Sequence, residues 1–138
     1  MDVADPHIIF DYDSIPDFDK QVVIAAGWKP GWSTDYCAVT LGAQKGINKI
    51  IKLSNADHVY DRDPKAHADA KPFDNLTWDQ YIEMIGDVWT PGRSVPIDPV
   101  GAKLAKEKGI SFVYLDGLNL ENVENALNNQ SFVGTTVA

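Results

Sequence analysis

The chain has 138 residues, 44% of them hydrophobic, and a formal net charge of −8. That is the length of one ordinary domain with enough apolar residues for a core, which excludes a chain disordered throughout. The acidic balance argues against general binding to nucleic acid or to an anionic membrane, but is compatible with a small anion held by backbone amides.

Residues 1–20 form an acidic lead-in with two prolines and an apolar triplet, Ile8 to Phe10, that suits one short strand. The segment lacks the basic-then-apolar order of a signal peptide. With no apolar run of membrane-spanning length, a cytoplasmic protein is expected. The run "QVVIAA", residues 21–26, predicts a buried strand. A loop with Gly27, Trp28, Lys29, Pro30, Gly31 and Trp32 follows. Ser33 or Thr34 can then cap a helix whose first turn holds Asp35 and whose end is Gly46. "NKIIKL", residues 48–53, reads as the next strand, so the order implies a parallel βαβ unit.

Turn formers crowd the next stretch, with a short hairpin predicted around Val59 and Tyr60. Thr77 and Gln80 make a capping-box pattern ahead of a helix over Trp78–Ile85. "WTPGRSVPIDPV" reads as a loop. Asp98 then caps a helix with Pro99 at its first position, Val100, Leu104 and Ala105 on one face, and a stop at Gly109. A strand over 111–115, a helix from Asn119 to about Leu127 and a closing strand in "SFVGTTV" complete the chain.

Three groups of residues can carry chemistry. A glycine-containing loop between strand and helix turns backbone amides toward an anion, and the helix dipole favours it. Gly27 to Asp35 fits that description, although plain capping accounts for the same residues and no Walker A pattern is present. Ser54 and Asn55 sit at the carboxyl end of a strand, the edge where open parallel sheets bind ligands. Beyond them Tyr60 offers a flat face for a base, while Asp57, Asp61 and Asp63 offer acceptors. An acidic turn with Tyr60 in the core is the plain alternative. The single cysteine, Cys37, excludes an intramolecular disulfide, suits a reducing compartment and reads as a small core residue. His7, His58 and His67 lack ligand spacing, so no metal site of the protein's own is expected.

Taken in order, these segments resemble the C-terminal half of the amino acid kinase superfamily, and most closely the UMP kinases. The first match is a glycine loop ending P-x-[FW]-[ST]-T-D, here Pro30 to Asp35. The second is a strand ending K-x-[ST]-[KN]-x-D-x-V-Y-D-x-D-P-[KR], here Lys52 to Lys65, with His58 where the family usually has glycine. "DAKPFDNLTWDQYIEM", "PIDPVGAKLAKEKGI" and a closing "GT" strand follow, so the likeness covers about residues 21–137.

The resemblance implies an α/β fold with a mainly parallel sheet flanked by helices, and transfer of the ATP γ-phosphoryl group to UMP. It implies that Gly27, Trp28, Lys29, Pro30, Gly31, Trp32, Ser33 and Thr34 surround the acceptor, and that Asp35 organises catalytic basic residues. Ser54, Asn55, Tyr60, Asp61 and Asp63 would border ATP, whose Mg2+ arrives with the nucleotide. Trp28 and Lys29 stand where UMP kinases usually carry a small residue and asparagine, so another small acceptor is an alternative, and a non-catalytic nucleotide-binding or storage subunit is a third. The family's N-terminal lysine and glycine-rich loop have no match. Lys29 is then the one basic residue expected near the site, and the chain is expected to need a complementary half, in an assembly that resembles the family's homo-oligomers.

Overall fold

The computed structural model describes residues 3–86 and 95–138. Half of the predicted "WTPGRSVPIDPV" loop, residues 89–94, therefore lies outside the described residues. The chain begins with two parallel strands, β1 (Ala4–Ile9) and β2 (Val22–Ala25), in a ribbon of their own. Helix α1 (Thr34–Lys45) follows, capped by the Ser33 side chain and closed by Gly46 in the left-handed conformation. Strand β3 (Lys49–Ser54) leads to the hairpin of β4 (Val59–Tyr60) and β5 (Pro72–Phe73), then to β6 (Asn75–Leu76). Helix α2 (Trp78–Ile85) carries the predicted capping box in full. Helix α3 (Pro99–Lys108), strand β7 (Ser111–Asp116), helix α4 (Leu120–Leu127) and strand β8 (Thr135–Val137) end the chain.

The main sheet has the order β3-β7-β8-β6. Its β3–β7 and β6–β8 pairings are parallel, and β7–β8 is antiparallel. Strand β7 shows why both faces are covered. Phe112 and Tyr114 point into a cluster with Trp78, Tyr81, Ile97 and Ala105, whereas Val113 and Leu115 point the other way, onto Ala126 of α4. The alternation of a strand thus serves two helical layers, which makes "SFVYL" a continuous apolar run. The α/β class expected from the sequence is the one observed.

Three expectations differ. The run "QVVIAA" is not a buried strand: Val22 and Ile24 lie exposed on the outer side of the ribbon. β2 and β3 do not form a paired βαβ unit, because β1 takes the place beside β2 while β7 takes the place beside β3. On α3 the buried face is Pro99, Gly101, Ala102 and Ala105, and Val100 is exposed. Small residues win there because α1 approaches closely. A Cβ added at Gly101 would stand 2.7 Å from Asp98 Oδ2 and 3.2 Å from the Tyr36 backbone nitrogen.

Candidate functional site

The loop between β2 and α1 is shaped by its own sequence. Trp32 N–H donates to the Lys29 carbonyl at 3.1 Å, closing a turn with Pro30 and Gly31 at its centre. Gly31 has φ +89°, so proline then glycine is the arrangement a type II turn requires. The turn delivers Ser33 as the helix cap, its Oγ accepting from Tyr36 N–H at 3.0 Å. Thr34 is thus not the cap; it is the first helical residue and is exposed.

An aromatic ladder braces this loop. Tyr12 packs on Trp28 at 5.3 Å, Trp28 on Trp32 at 5.9 Å, and Trp32 on Tyr36 at 4.2 Å between ring centroids. Tyr12 is buried, donates to the Ala26 carbonyl at 2.7 Å, and has its phenol pushed above the usual tyrosine range by that burial. The acidic lead-in therefore contributes one wall of the loop's support. Cys37 packs beside Tyr12 and Ile9 as a core residue.

Behind the loop, three elements meet at charged groups. Lys52 of β3 donates to both Asp35 carboxylate oxygens, at 2.7 and 2.6 Å. The Asp98 backbone N–H donates to Asp35 Oδ2 at 3.1 Å. Asp98, itself buried, caps α3 through the N–H groups of Val100 and Gly101 and accepts from the Ser33 hydroxyl. Tyr81 holds the preceding corner, its hydroxyl donating to the Ile97 carbonyl at 2.7 Å and accepting from the Ile97 N–H at 2.6 Å. The Tyr81 phenol is shifted strongly upward by burial. A cavity of about 390 Å3 opens beside this network, walled by Pro30, Gly31, Trp32, Ser33, Tyr36 and Asp98.

Lys52 overturns the expectation that Lys29 is the basic residue nearest the site. Lys29 instead pairs with Asp13 at 2.9 Å and lies over the Trp28 ring, on the flank of the loop. Lys52 had a signal in the sequence: a lysine inside the apolar run "KIIKL" has to find an anion or reach solvent. Asp98 and Tyr81 were read only as a cap and a helix residue, because their contacts span 63 and 16 residues of chain.

The second group of candidates lies beyond β3. Lys52 and Ser54 share one face of the strand, two residues apart. Ser54 Oγ and Tyr114 Oη are 2.6 Å apart. Asn55 is exposed. Tyr60 is half-buried rather than in the core, and its hydroxyl donates to Asp57 at 2.8 Å. That carboxylate, with some burial, raises the Tyr60 phenol. Burial works against the Asp57 charge, but the hydrogen bond from Tyr60 and the adjacent His58 ring outweigh it and hold the carboxyl below its usual range. Asp61 accepts from the Lys71 N–H at 2.9 Å, which lowers its carboxyl, and Asp63 closes a turn onto the Lys65 N–H. His58, where the resemblance implies glycine, has no left-handed backbone, since Asn129 is the one non-glycine residue of positive φ among those described. Its ring lies 3.3 Å from Asp57 and 3.4 Å from Asp74. No group of three or more metal-ligating side chains occurs among the described residues, and no described helix is long and apolar enough to cross a membrane.

The fold and this loop, helix mouth and strand edge define a class. Residues 11–113 match the Amino acid kinase family, and the chain belongs to it. Within the family it is similar to uridylate kinases. That of Methanocorpusculum labreanum is 34% identical over 118 residues, covering 85% of this chain and 50% of the relative. That of Haloquadratum walsbyi is 26% identical over 97% of this chain and 57% of its own length. The crystal structure of the uridylate kinase from Archaeoglobus fulgidus superposes with a TM-score of 0.80 at 27% identity, covering 100% of this chain and 63% of that one. The chain thus spans about half the length of the curated relatives it matches.

Proposed function

We propose that this chain is the ATP-side, C-terminal half of a UMP-kinase-like enzyme that transfers the γ-phosphoryl group of ATP to UMP. The observation that carries the reading is the Lys52–Asp35 ion pair. It joins the two segments of the resemblance, Pro30–Asp35 and Lys52–Lys65, at the mouth of one helix. Phosphoryl transfer depends on positioning and on neutralising charge spread over phosphate oxygens, and demands little covalent chemistry of the protein. Lys52 supplies a cation there. Asp35 fixes its ammonium with two oxygens and is itself fixed by the Asp98 N–H. The N–H groups of the first turn of α1 add their partial positive charge beside it.

In this reading Gly27 to Thr34 line the acceptor side, with the cavity at Pro30–Ser33 as its floor. Ser54, Asn55, Tyr60, Asp61 and Asp63 border the ATP base and ribose, and Mg2+ bound to the nucleotide adds charge neutralisation at the phosphates. The rest of the acceptor contacts and of the phosphate clamp come from a further part of the kinase domain, so the chain by itself has little or no turnover. The test is ADP release on mixing the purified chain with ATP and UMP, alongside a titration with ATP alone. ATP binding with negligible turnover is expected. Robust UMP-dependent ADP release by the chain alone would overturn the half-enzyme reading, and failure to bind ATP would overturn the nucleotide site.

A further inference from the structure

The last strand is entered through "GT", Gly134 and Thr135. Gly134 lets the chain lie close against β7: a Cβ there would stand 2.5 Å from the Tyr114 carbonyl oxygen and 3.0 Å from Leu115 Cβ. Thr135 follows in register with Tyr114, which is itself in register with Lys52 of β3. Thr135 is 0% exposed, and its hydroxyl has two partners, both on the hairpin β4–β5. It accepts from the Val59 N–H at 2.8 Å and donates to the Phe73 carbonyl. Val59 and Phe73 are register partners, one on each strand of the hairpin. A buried hydroxyl with both its functions satisfied in this way ties the two strands to the main sheet at one point. Valine has the same shape and would make neither bond.

We propose that Thr135 is a positioning residue for the ATP side of the site: its hydroxyl fixes the β4–β5 hairpin on the main sheet and thereby sets where Tyr60, Asp61 and Asp63 stand. The inference rests on the nucleotide reading above and adds the group that aligns those residues. Thr135 acts through Val59 and Phe73 rather than on the nucleotide. Among the described residues, the hydrogen-bond partners of the three ATP-side side chains all lie between residues 57 and 71. Tyr60 pairs with Asp57, Asp61 with Arg62 and the Lys71 N–H, and Asp63 with the Lys65 N–H. The hairpin is also a two-stranded sheet of its own, outside the β3-β7-β8-β6 ladder. Its alignment therefore comes through the residues that meet the sheet, Val59 directly before Tyr60 and Phe73 across from it. The Val59 side chain is buried in the main core, but apolar packing has no direction, whereas a hydrogen bond fixes one. The Thr136 N–H, donating to the Asp74 carbonyl at 2.9 Å, extends the same seam past the end of β5.

The experiment compares three variants with the parent chain. Thr135→Val keeps the shape and deletes both bonds, and Thr135→Ser keeps the hydroxyl. Thr136→Val, one residue along and on the other face of the strand, is the control. Each is read by thermal melt, by amide hydrogen exchange at Val59 and by ATP titration per folded molecule. Thr135→Val should open the Val59 amide to exchange and weaken ATP binding by about tenfold, the scale of one lost hydrogen-bonded contact. Thr135→Ser should retain both properties, and Thr136→Val should change neither. Unchanged ATP affinity in folded Thr135→Val overturns the inference even where the melt falls, since the residue would then only stabilise the fold. If Thr135→Val does not fold, the parent decides. By reciprocity ATP should slow exchange at Val59, and an amide indifferent to ATP overturns the inference. A parent chain that binds no ATP counts against the nucleotide reading alone. A Val59 amide exposed in Thr135→Val and protected in Thr135→Ser would still show the hairpin fixed by Thr135, and protection in both would overturn that too, so the two fail separately.

Discussion

The β3-β7-β8-β6 sheet and the β1–β2 ribbon are built from the same kinds of residue, yet only the first is enclosed. Val113 and Leu115 of β7 are covered by α4 while Phe112 and Tyr114 are covered by α2 and α3. Ile8 and Ile24 of the ribbon face water. The enclosed half holds Lys52, Ser54 and Tyr114; the ribbon supports the loop that carries Trp28 to Ser33. One chain therefore contains a finished scaffold for one part of the candidate site and a half-covered scaffold for the other. Apolar content alone does not separate the two. What separates them is how many neighbouring elements the chain itself provides.

The largest expected contrast is in stability. Tyr81→Ala removes a fully buried ring and both hydrogen bonds to Ile97. It should cost about 3–5 kcal/mol, as for other buried aromatics. Ile24→Ala, on the ribbon, should stay within about 0.5 kcal/mol. Urea melts of the two variants check this, and equal losses would erase the distinction between the halves.

Next in size is Lys52→Met, measured in the complex reconstituted with the complementary part. Loss of a preorganised cation at the transferring group should lower turnover by roughly 10²–10³-fold. Asp35→Asn should act in the same direction while leaving the melt close to that of the parent protein. Unchanged turnover in both would reduce the pair to a structural ion bridge between α1 and β3.

Gly101→Ala sharpens the comparison from within the enclosed half. The added methyl meets Asp98 Oδ2 and the backbone of Tyr36, so α1 and α3 have to separate. A loss of about 1–3 kcal/mol is expected from thermal melts, as for overpacked cores. A small stability effect is also expected of Tyr60→Ala. Tyr60 is half-buried and its hydroxyl pairs only locally with Asp57. The variant should lose less than about 1 kcal/mol and show weaker ATP binding in a titration. An early melt with unchanged affinity per folded molecule would return Tyr60 to the core.

Local chemistry made most of the fold legible in the sequence. The Thr77–Gln80 capping box, Asp98 ahead of Pro99, and Gly46 and Gly109 after their helices all lie within a few residues of what they control. The same holds for the Pro30–Gly31 turn. The ribbon was misjudged because "QVVIAA" reads as buried whatever covers it, and the composition of a strand does not reveal its neighbours. In the candidate site, the helix mouth with Asp35 could be read from sequence, but Lys52 as its partner could not. That pairing needed the placement of β3 beneath α1, a long-range fact. Asp98 was legible as a cap and illegible as the group that also steadies Ser33 and Asp35.

The aromatic ladder has an optical consequence. The chain has four tryptophans. Trp28 and Trp32 are stacked at the loop, and Trp32 forms part of the cavity wall. Trp78 lies in the enclosed core, its indole N–H donating to the Ile110 carbonyl at 3.1 Å and its ring edge-on to Tyr81 and Phe112. The stacked pair is expected to give an exciton couplet in far-ultraviolet circular dichroism that changes when a ligand enters the cavity or the loop changes its turn. Trp78, buried away from the loop, is expected to change its emission when the main sheet comes apart. Among the described residues, the tryptophans thus fall into two groups, a stacked pair at the loop and Trp78 in the scaffold, which report different events without any label attached.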